Sequence, residues 1–192
     1  MNVLGNGETR STINVDSLVG PKIGCNAIYR DYRVDHLVCV DNRMVVEAIE
    51  ADYNQHCKIY TRSKTQDSYT TVKNIRCVPD LPYAGMEKPD EHINWGSGPY
   101  AVLLAAKLSN TVNLIGFDLY SQTHTVNNIY KGTKNYIAAE KTAIDPRYWI
   151  YQIAKVFEYY PKVKFTIYQP EGWNRPKSWK KPNVFLDKLD SL

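Results

Sequence analysis

Apolar positions along the chain come in short runs separated by polar, glycine-bearing turns, and the period of the runs alternates. Val3-Leu4 ends a first short strand, and Pro21–Asn26, leaving through Tyr29–Tyr32, predicts a second. His36–Asp41 reads as a third, apolar enough for burial on both faces of a parallel sheet. The period then changes: Val45, Val46, Ala48 and Ile49, interrupted by Glu47 and Glu50, predict an amphipathic helix over 43–53. Lys58–Thr61 predicts another strand, Arg62–Asn74 a polar surface excursion, and Val72–Val78 an edge strand. Ser97–Leu108 is the clearest helix, opening on a Gly-Ser-Gly turn with Pro99 near its start. Thr111–Ile115 is a buried strand that ends in Gly116-Phe117-Asp118. The polar segment Ser121–Lys141 reads as a lid or substrate loop, with helix at its end. Asp145 as N-cap and Pro146 as first residue open a helix through Tyr159, and Val163–Tyr168 is the last predicted strand.

This alternation predicts an α/β fold, a Rossmann-like, mostly parallel sheet with helices on both faces, in a single domain. The domain is expected over 1–170, with an extended Pro-, Trp- and Lys-rich tail over 171–192. A length of 192 residues supports a continuous core without disulfide or metal staples. No apolar run approaches the ~20 residues of a membrane span, and the first residues lack a basic secretory n-region, so the expected compartment is cytoplasmic. The four cysteines form no C-x-x-C pair, and Cys25 and Cys39 sit in strand-like runs, so buried thiols are expected and no metal. The net charge of +4 is mild. Trp173, Arg175, Lys177, Trp179, Lys180 and Lys181 would suit a nucleic acid, but prolines 170, 176 and 182 favour a tail that wraps the domain and docks its aromatics.

Chemistry enters at two joints between strand and helix, Gly5-Asn6-Gly7 and Gly96-Ser97-Gly98-Pro99-Tyr100. Glycine permits a sharp turn and brings backbone N–H groups close to a phosphate, which points to a nucleotide-dependent site. Asp118, at the end of a predicted strand, belongs to the same region. The first turn has Arg10 where a dinucleotide fingerprint has its third glycine, which argues against NAD.

These segments, together with Ile23-Gly24-Cys25-Asn26-Ala27-Ile28-Tyr29, Val40-Asp41-Asn42 and Gly116-Phe117-Asp118-Leu119-Tyr120, follow one another in a familiar order. In that order the chain resembles the bacterial sialyltransferases of glycosyltransferase family 42 and the related motility accessory factors of flagellin glycosylation, over residues 2–170. The resemblance implies a CMP-activated sugar as donor substrate, no metal or other cofactor, and a glycan or other hydroxyl acceptor. It implies donor contacts from Gly5, Asn6, Gly7, Asn26, Asn42, Ser97, Gly98 and Asp118, and places Tyr120 and Tyr130 on the departing phosphate. Turn formation, helix capping or packing under a loop would equally account for the asparagines, Ser97 and the tyrosines. The family's general-base histidine has no counterpart before the helix at Asp145, which leaves His124, Asp145 and Glu140 as candidates. Two other classes stay open: a nucleotide-binding protein without catalysis, and a diphosphokinase on the same scaffold. Self-association is left open.

Overall fold

The computed structural model describes residues 1–192. Its eight strands are β1 (Asn2–Leu4), β2 (Lys22–Cys25), β3 (His36–Val38), β4 (Lys58–Thr61), β5 (Ile75–Cys77), β6 (Thr111–Ile115), β7 (Lys164–Gln169) and β8 (Val184–Lys188). They form one sheet in the order β5-β4-β3-β2-β1-β6-β7-β8, and every neighbouring pair is parallel. The chain builds outward from β1 to β5, then returns to the other side of β1 with β6. The order therefore reverses between β1 and β6, the place where open α/β sheets bind ligands beyond their strand ends.

The helices are α1 (Asn42–Glu50), α2 (Ser63–Gln66), α3 (Ser97–Leu108) and α4 (Arg147–Tyr159). Successive strand residues point to opposite faces, and the core divides accordingly. Val3, Ile23, Val38, Val112, Leu114, Phe165 and Ile167 pack with α3 and α4. Leu4, Leu37, Ile59 and Ile115 pack with Met44, Val45 and Ala48 of α1. Helices thus cover both faces, and the protein is a Rossmann-like α/β single domain. On the α1 side even the polar central residues are paired, Asn113 Nδ2 donating to Asn2 Oδ1 at 2.9 Å.

Several elements depart from expectation for local reasons. β3 stops at Val38 rather than running to Asp41, because the Val40 N–H donates to Ser97 Oγ (3.1 Å) and Asp41 accepts from the Arg43 N–H to cap α1. α1 starts at Asn42 and ends three residues early, where Asp52 takes a left-handed φ of 54° into a 3-10 turn. No helix forms at the end of Ser121–Lys141; the segment is a series of turns closed by one antiparallel bridge between Thr125 and Thr142. Pro146 is the residue preceding the first turn of α4 rather than part of it, while the Asp145 carboxylate accepts the Arg147 N–H at 2.9 Å.

The tail holds the largest departure. It is not only a wrap: Val184–Lys188 adds β8 beside β7, so Val163–Tyr168 does not mark the last strand. Trp179 is fully buried, its Nε1 donating to the Ile150 carbonyl at 2.9 Å and its ring edge-on to Phe157. Asn183 Nδ2 donates to the carbonyls of Phe157, Tyr160 and Val163, which fixes the approach to β8.

Candidate functional site

At the reversal point the backbones of β1 and β6 run into one another. The Gly5 N–H donates to the Ile115 carbonyl (2.8 Å) and the Gly7 N–H to the Gly116 carbonyl (2.9 Å). A Cβ on Gly5 would strike the Gly116 carbonyl, one on Gly116 would lie 2.8 Å from the Gly5 carbonyl, and Gly116 has a φ of +72°. A Cβ on Gly7 would run into the Asp118 carboxylate. The glycines here let two strand ends and one carboxylate share a space that side chains would fill.

Above this crossing lies a cleft of about 300 Å³, at the lower end of small-molecule sites. It is lined by Gly5, Asn6, Gly7, Asn26, Ser97, Gly98 and Asp118, so seven of the eight donor-binding candidates meet there. The twelve-residue helix α3 begins at its edge with no side chain capping its first turn, and its leading N–H groups are open to an anion. Trp149 and Ile153 of α4, Phe117, Asp41, Asn127 and Asn128 complete the lining.

The asparagines and Ser97 also hold the cleft in shape. Asn6 Nδ2 donates to the Cys25 carbonyl (3.1 Å) and to the Tyr136 hydroxyl (3.2 Å), tying the end of β1 to that of β2. Asn26 sits at a φ of 50°, a conformation asparagine tolerates better than most residues. Its Oδ1 accepts from the Ser97 hydroxyl at 2.8 Å. Ser97 thereby links α3 to the ends of both β2 and β3. Each amide keeps a lone pair or an N–H for a ligand. Cys25 also lines the cleft, but burial pushes its thiol up to about 12, so it is an inert, protonated wall.

The other candidates lie outside the cleft. Asn42 is exposed as the first residue of α1, and it is the preceding Asp41 that faces the cleft. His124 is exposed, at a φ of 62° in the 121–141 segment, and lines neither this cleft nor the cavity beside it. Asp145 and Glu140 are exposed as well, and Asp145 is paired with Arg147. Tyr130 is 5% exposed and beneath the cleft; its hydroxyl donates to Asp31 Oδ2 (2.6 Å) and accepts from Arg10 (3.2 Å). Burial, then the bond to Asp31, pushes its phenol up to about 12. Tyr120 lies on the other side of Asp118, and burial raises its pKa, which keeps the phenol a hydrogen-bond donor.

Sequence reasoning noticed Arg10 only as the residue replacing a glycine. It is 2% exposed, and its guanidinium reaches Asn6 Oδ1 (3.4 Å) and the Tyr130 hydroxyl and sits against the Tyr32 and Tyr130 rings. A buried cation with no carboxylate bonded to it lies directly under the Gly5–Gly7 turn. It lends that turn positive potential.

The 121–141 segment is fastened over the site. The Ile129 N–H donates to the Asn6 carbonyl (2.9 Å), and the Glu8 N–H donates to Asn127 Oδ1 (2.9 Å). On its far side Glu47 of α1 accepts from Tyr29 (2.6 Å), Arg30 (2.7 Å) and Asn135 (2.6 Å), while Arg30 also reaches Thr133 and the Lys134 carbonyl. Burial acts to raise the Glu47 pKa, but the bonds from Tyr29, Asn135 and Arg30 outweigh it and the net shift is downward. A lowered carboxyl contributes stability above its unfolded value and loses it as pH falls through its folded one. Backbone amides of 127–137 are therefore expected to lose hydrogen-exchange protection as pH drops below the ordinary glutamate value of 4.5. Glu47→Gln should show that loss already at pH 7. Unchanged protection in both experiments would mean that Glu47 does not fasten the segment.

No protein-family model matches this chain, and neither a curated protein nor a solved structure is significantly similar to it. Fold and cleft define its class, a Rossmann-like α/β protein with a glycine-walled cleft at the reversal of its sheet.

Proposed function

We propose that the protein is a glycosyltransferase that takes a nucleotide-activated sugar, CMP-linked as the resemblance implies, without a metal. The observation that supports it is the convergence, in one cleft, of the Gly5-Asn6-Gly7 turn, Asn26 and the uncapped start of α3. Open N–H groups at Ser97 and Gly98 would receive phosphate oxygens, and Arg10 beneath would favour their negative charge. Asn6 and Asn26 offer neutral amides to ribose or base. Tyr120, kept protonated, would donate to the phosphate as charge develops on it during departure of the sugar.

Calorimetric titration with CMP, beside AMP, GMP and UMP and without metal, tests this. Selective binding of CMP in the micromolar range, about 8 kcal/mol, is the expected result. No heat with any of the four would overturn the reading and leave the glycine turns a purely structural role.

A second reading, a diphosphokinase, is favoured by Asp41 and Asp118, two carboxylates that line the same cleft. Carboxylates opposite a phosphate site suit a magnesium nucleotide. A further titration with ATP, with and without Mg²⁺, separates the two: binding of ATP only with Mg²⁺ present, and none of CMP, would select the diphosphokinase.

A further inference from the structure

The two edges of the sheet differ. β5 is three residues long with Arg76 at its centre, and its one large apolar residue, Ile75, is buried. A short edge with a charge on it resists further pairing. β8 is five residues long and leaves Phe185 46% and Leu186 47% exposed. Successive strand residues point to opposite faces, so these two side chains protrude on opposite sides of the sheet. A helix or loop laid on one face would shelter one of them, whereas a strand added at the edge shelters both.

The backbone of β8 suits such a strand. The Phe165 N–H donates to the Asn183 carbonyl at 2.9 Å, and the parallel register pairs Phe165 with Val184. This alternation turns the peptide groups of Asn183, Phe185 and Asp187 toward β7 and those of Val184, Leu186 and Lys188 outward. The Val184 N–H already donates to the Lys181 carbonyl (3.1 Å), and the Lys188 N–H to Asp187 Oδ1 (2.8 Å). Leu186, in the middle, presents both its N–H and its C=O to the outside.

We infer that β8 pairs antiparallel with β8 of a second copy, around a two-fold axis at Leu186, which joins the two eight-stranded sheets into one. The two Leu186 residues exchange N–H···O=C bonds in both directions, and an interface of this symmetry closes on itself. In this register Phe185 of each copy lies opposite Asp187 of the other. Lys164 stands on the same face, its ammonium 5.3 Å from the Phe185 ring. Lys164 and Asp187 form no ion pair within their own chain, while Lys188 is held by Glu171 at 3.5 Å. The pairing therefore brings a free cation and a free carboxylate together twice, once on each side of the axis, and this self-complementarity selects a second copy as the occupant. Neighbouring registers are worse. One centred on Phe185 needs the Val184 N–H that Lys181 already holds, and one centred on Asp187 sets two like charges face to face.

Sedimentation equilibrium of the full chain, from micromolar to submillimolar concentration, tests the pairing. A species of twice the chain mass that dissociates on dilution is expected. Leu186→Pro removes the outward N–H and no bond to β7, a change that edge strands tolerate. It should sediment as a monomer at every concentration, with the melting temperature of dilute wild-type protein. Lys164→Glu and Asp187→Lys, both at exposed positions, should each raise the dissociation constant about tenfold, the worth of two exposed ion pairs. The double variant Lys164→Glu/Asp187→Lys should restore it, since each copy then meets the reversed charges of the other. None of the three residues lines the cleft, so self-association and nucleotide binding are tested apart. A chain that stays monomeric over the whole range would overturn the inference and leave the edge to a strand of a different protein. A dimer that Leu186→Pro leaves intact, or charge reversals that do not compensate, would put the contact elsewhere and overturn it as well.

Discussion

Gly5→Ala will unfold the protein at a markedly lower temperature and abolish nucleotide binding with it. The new Cβ meets the backbone carbonyl of Gly116, which is itself fixed by the Gly7 N–H and by a left-handed φ, so no flexible side chain can move aside. Overpacking against fixed backbone costs about 3 kcal/mol, or about 10 °C in Tm for a chain of this size. Gly98→Ala is the informative partner. A Cβ there meets only the Phe117 ring at 3.5 Å, an ordinary contact, and alanine suits the first turn of α3. Gly98→Ala should therefore melt at or above the wild-type temperature, and any loss of CMP affinity in it reports on the ligand rather than the fold. Thermal unfolding of the two variants side by side decides the matter; a Gly5→Ala protein as stable as wild type would contradict the described crossing.

Trp179→Ala should cost about as much, for a different reason. The indole is 0% exposed, donates to the Ile150 carbonyl, and packs on Phe157 and Trp173. Removal of a buried aromatic of this size costs about 3–5 kcal/mol. Because Trp173 packs on Trp179 and holds the Asp118 carbonyl, the loss should reach the site. Denaturant unfolding gives the stability, and limited proteolysis should cut the variant within 171–183. A protected tail in a destabilised protein would show that β8 holds on its own.

Much of the sheet was legible because it is made of short apolar runs bounded by turn residues. Lys58–Thr61, Thr111–Ile115 and Ser97–Leu108 have the bounds that their periodicity predicts. β8 was not legible. Only Val184-Phe185-Leu186 is apolar, Phe185 and Leu186 stay about half exposed on an edge strand, and Pro176 and Pro182 precede it. An edge strand does not need the two-sided burial that makes central strands visible in a sequence.

The site shows the same division. Gly5, Gly7, Asn26, Ser97, Gly98 and Asp118 were readable because glycine and asparagine at strand ends carry a local backbone meaning. Tyr130, which the resemblance put on the departing phosphate, has its hydroxyl engaged by Asp31 and Arg10, contacts separated by some hundred residues of chain that no local pattern shows. Trp149 carries no local signal at all, since only the packing of α4 brings it to the cleft, whereas Asp41 stands in the strand-end motif Val40-Asp41-Asn42, beside the asparagine that was expected there. Arg10 is the instructive case. A bulky residue in a glycine position argued against a fingerprint, but only the fold shows its charge buried under the turn.

β1 lies at the centre of the sheet, yet one of its two neighbours is β6, which begins at Thr111. As the chain leaves the ribosome, β1 to β5 can assemble while the β6-facing edge of Asn2–Leu4 stays bare. At translation speeds that interval is on the order of ten seconds. An unpaired, apolar strand edge is a template for the wrong partner. The nascent chain is thus most prone to aggregation before residue 115 emerges, and a chaperone that covers strand edges would have its greatest effect on yield in that interval.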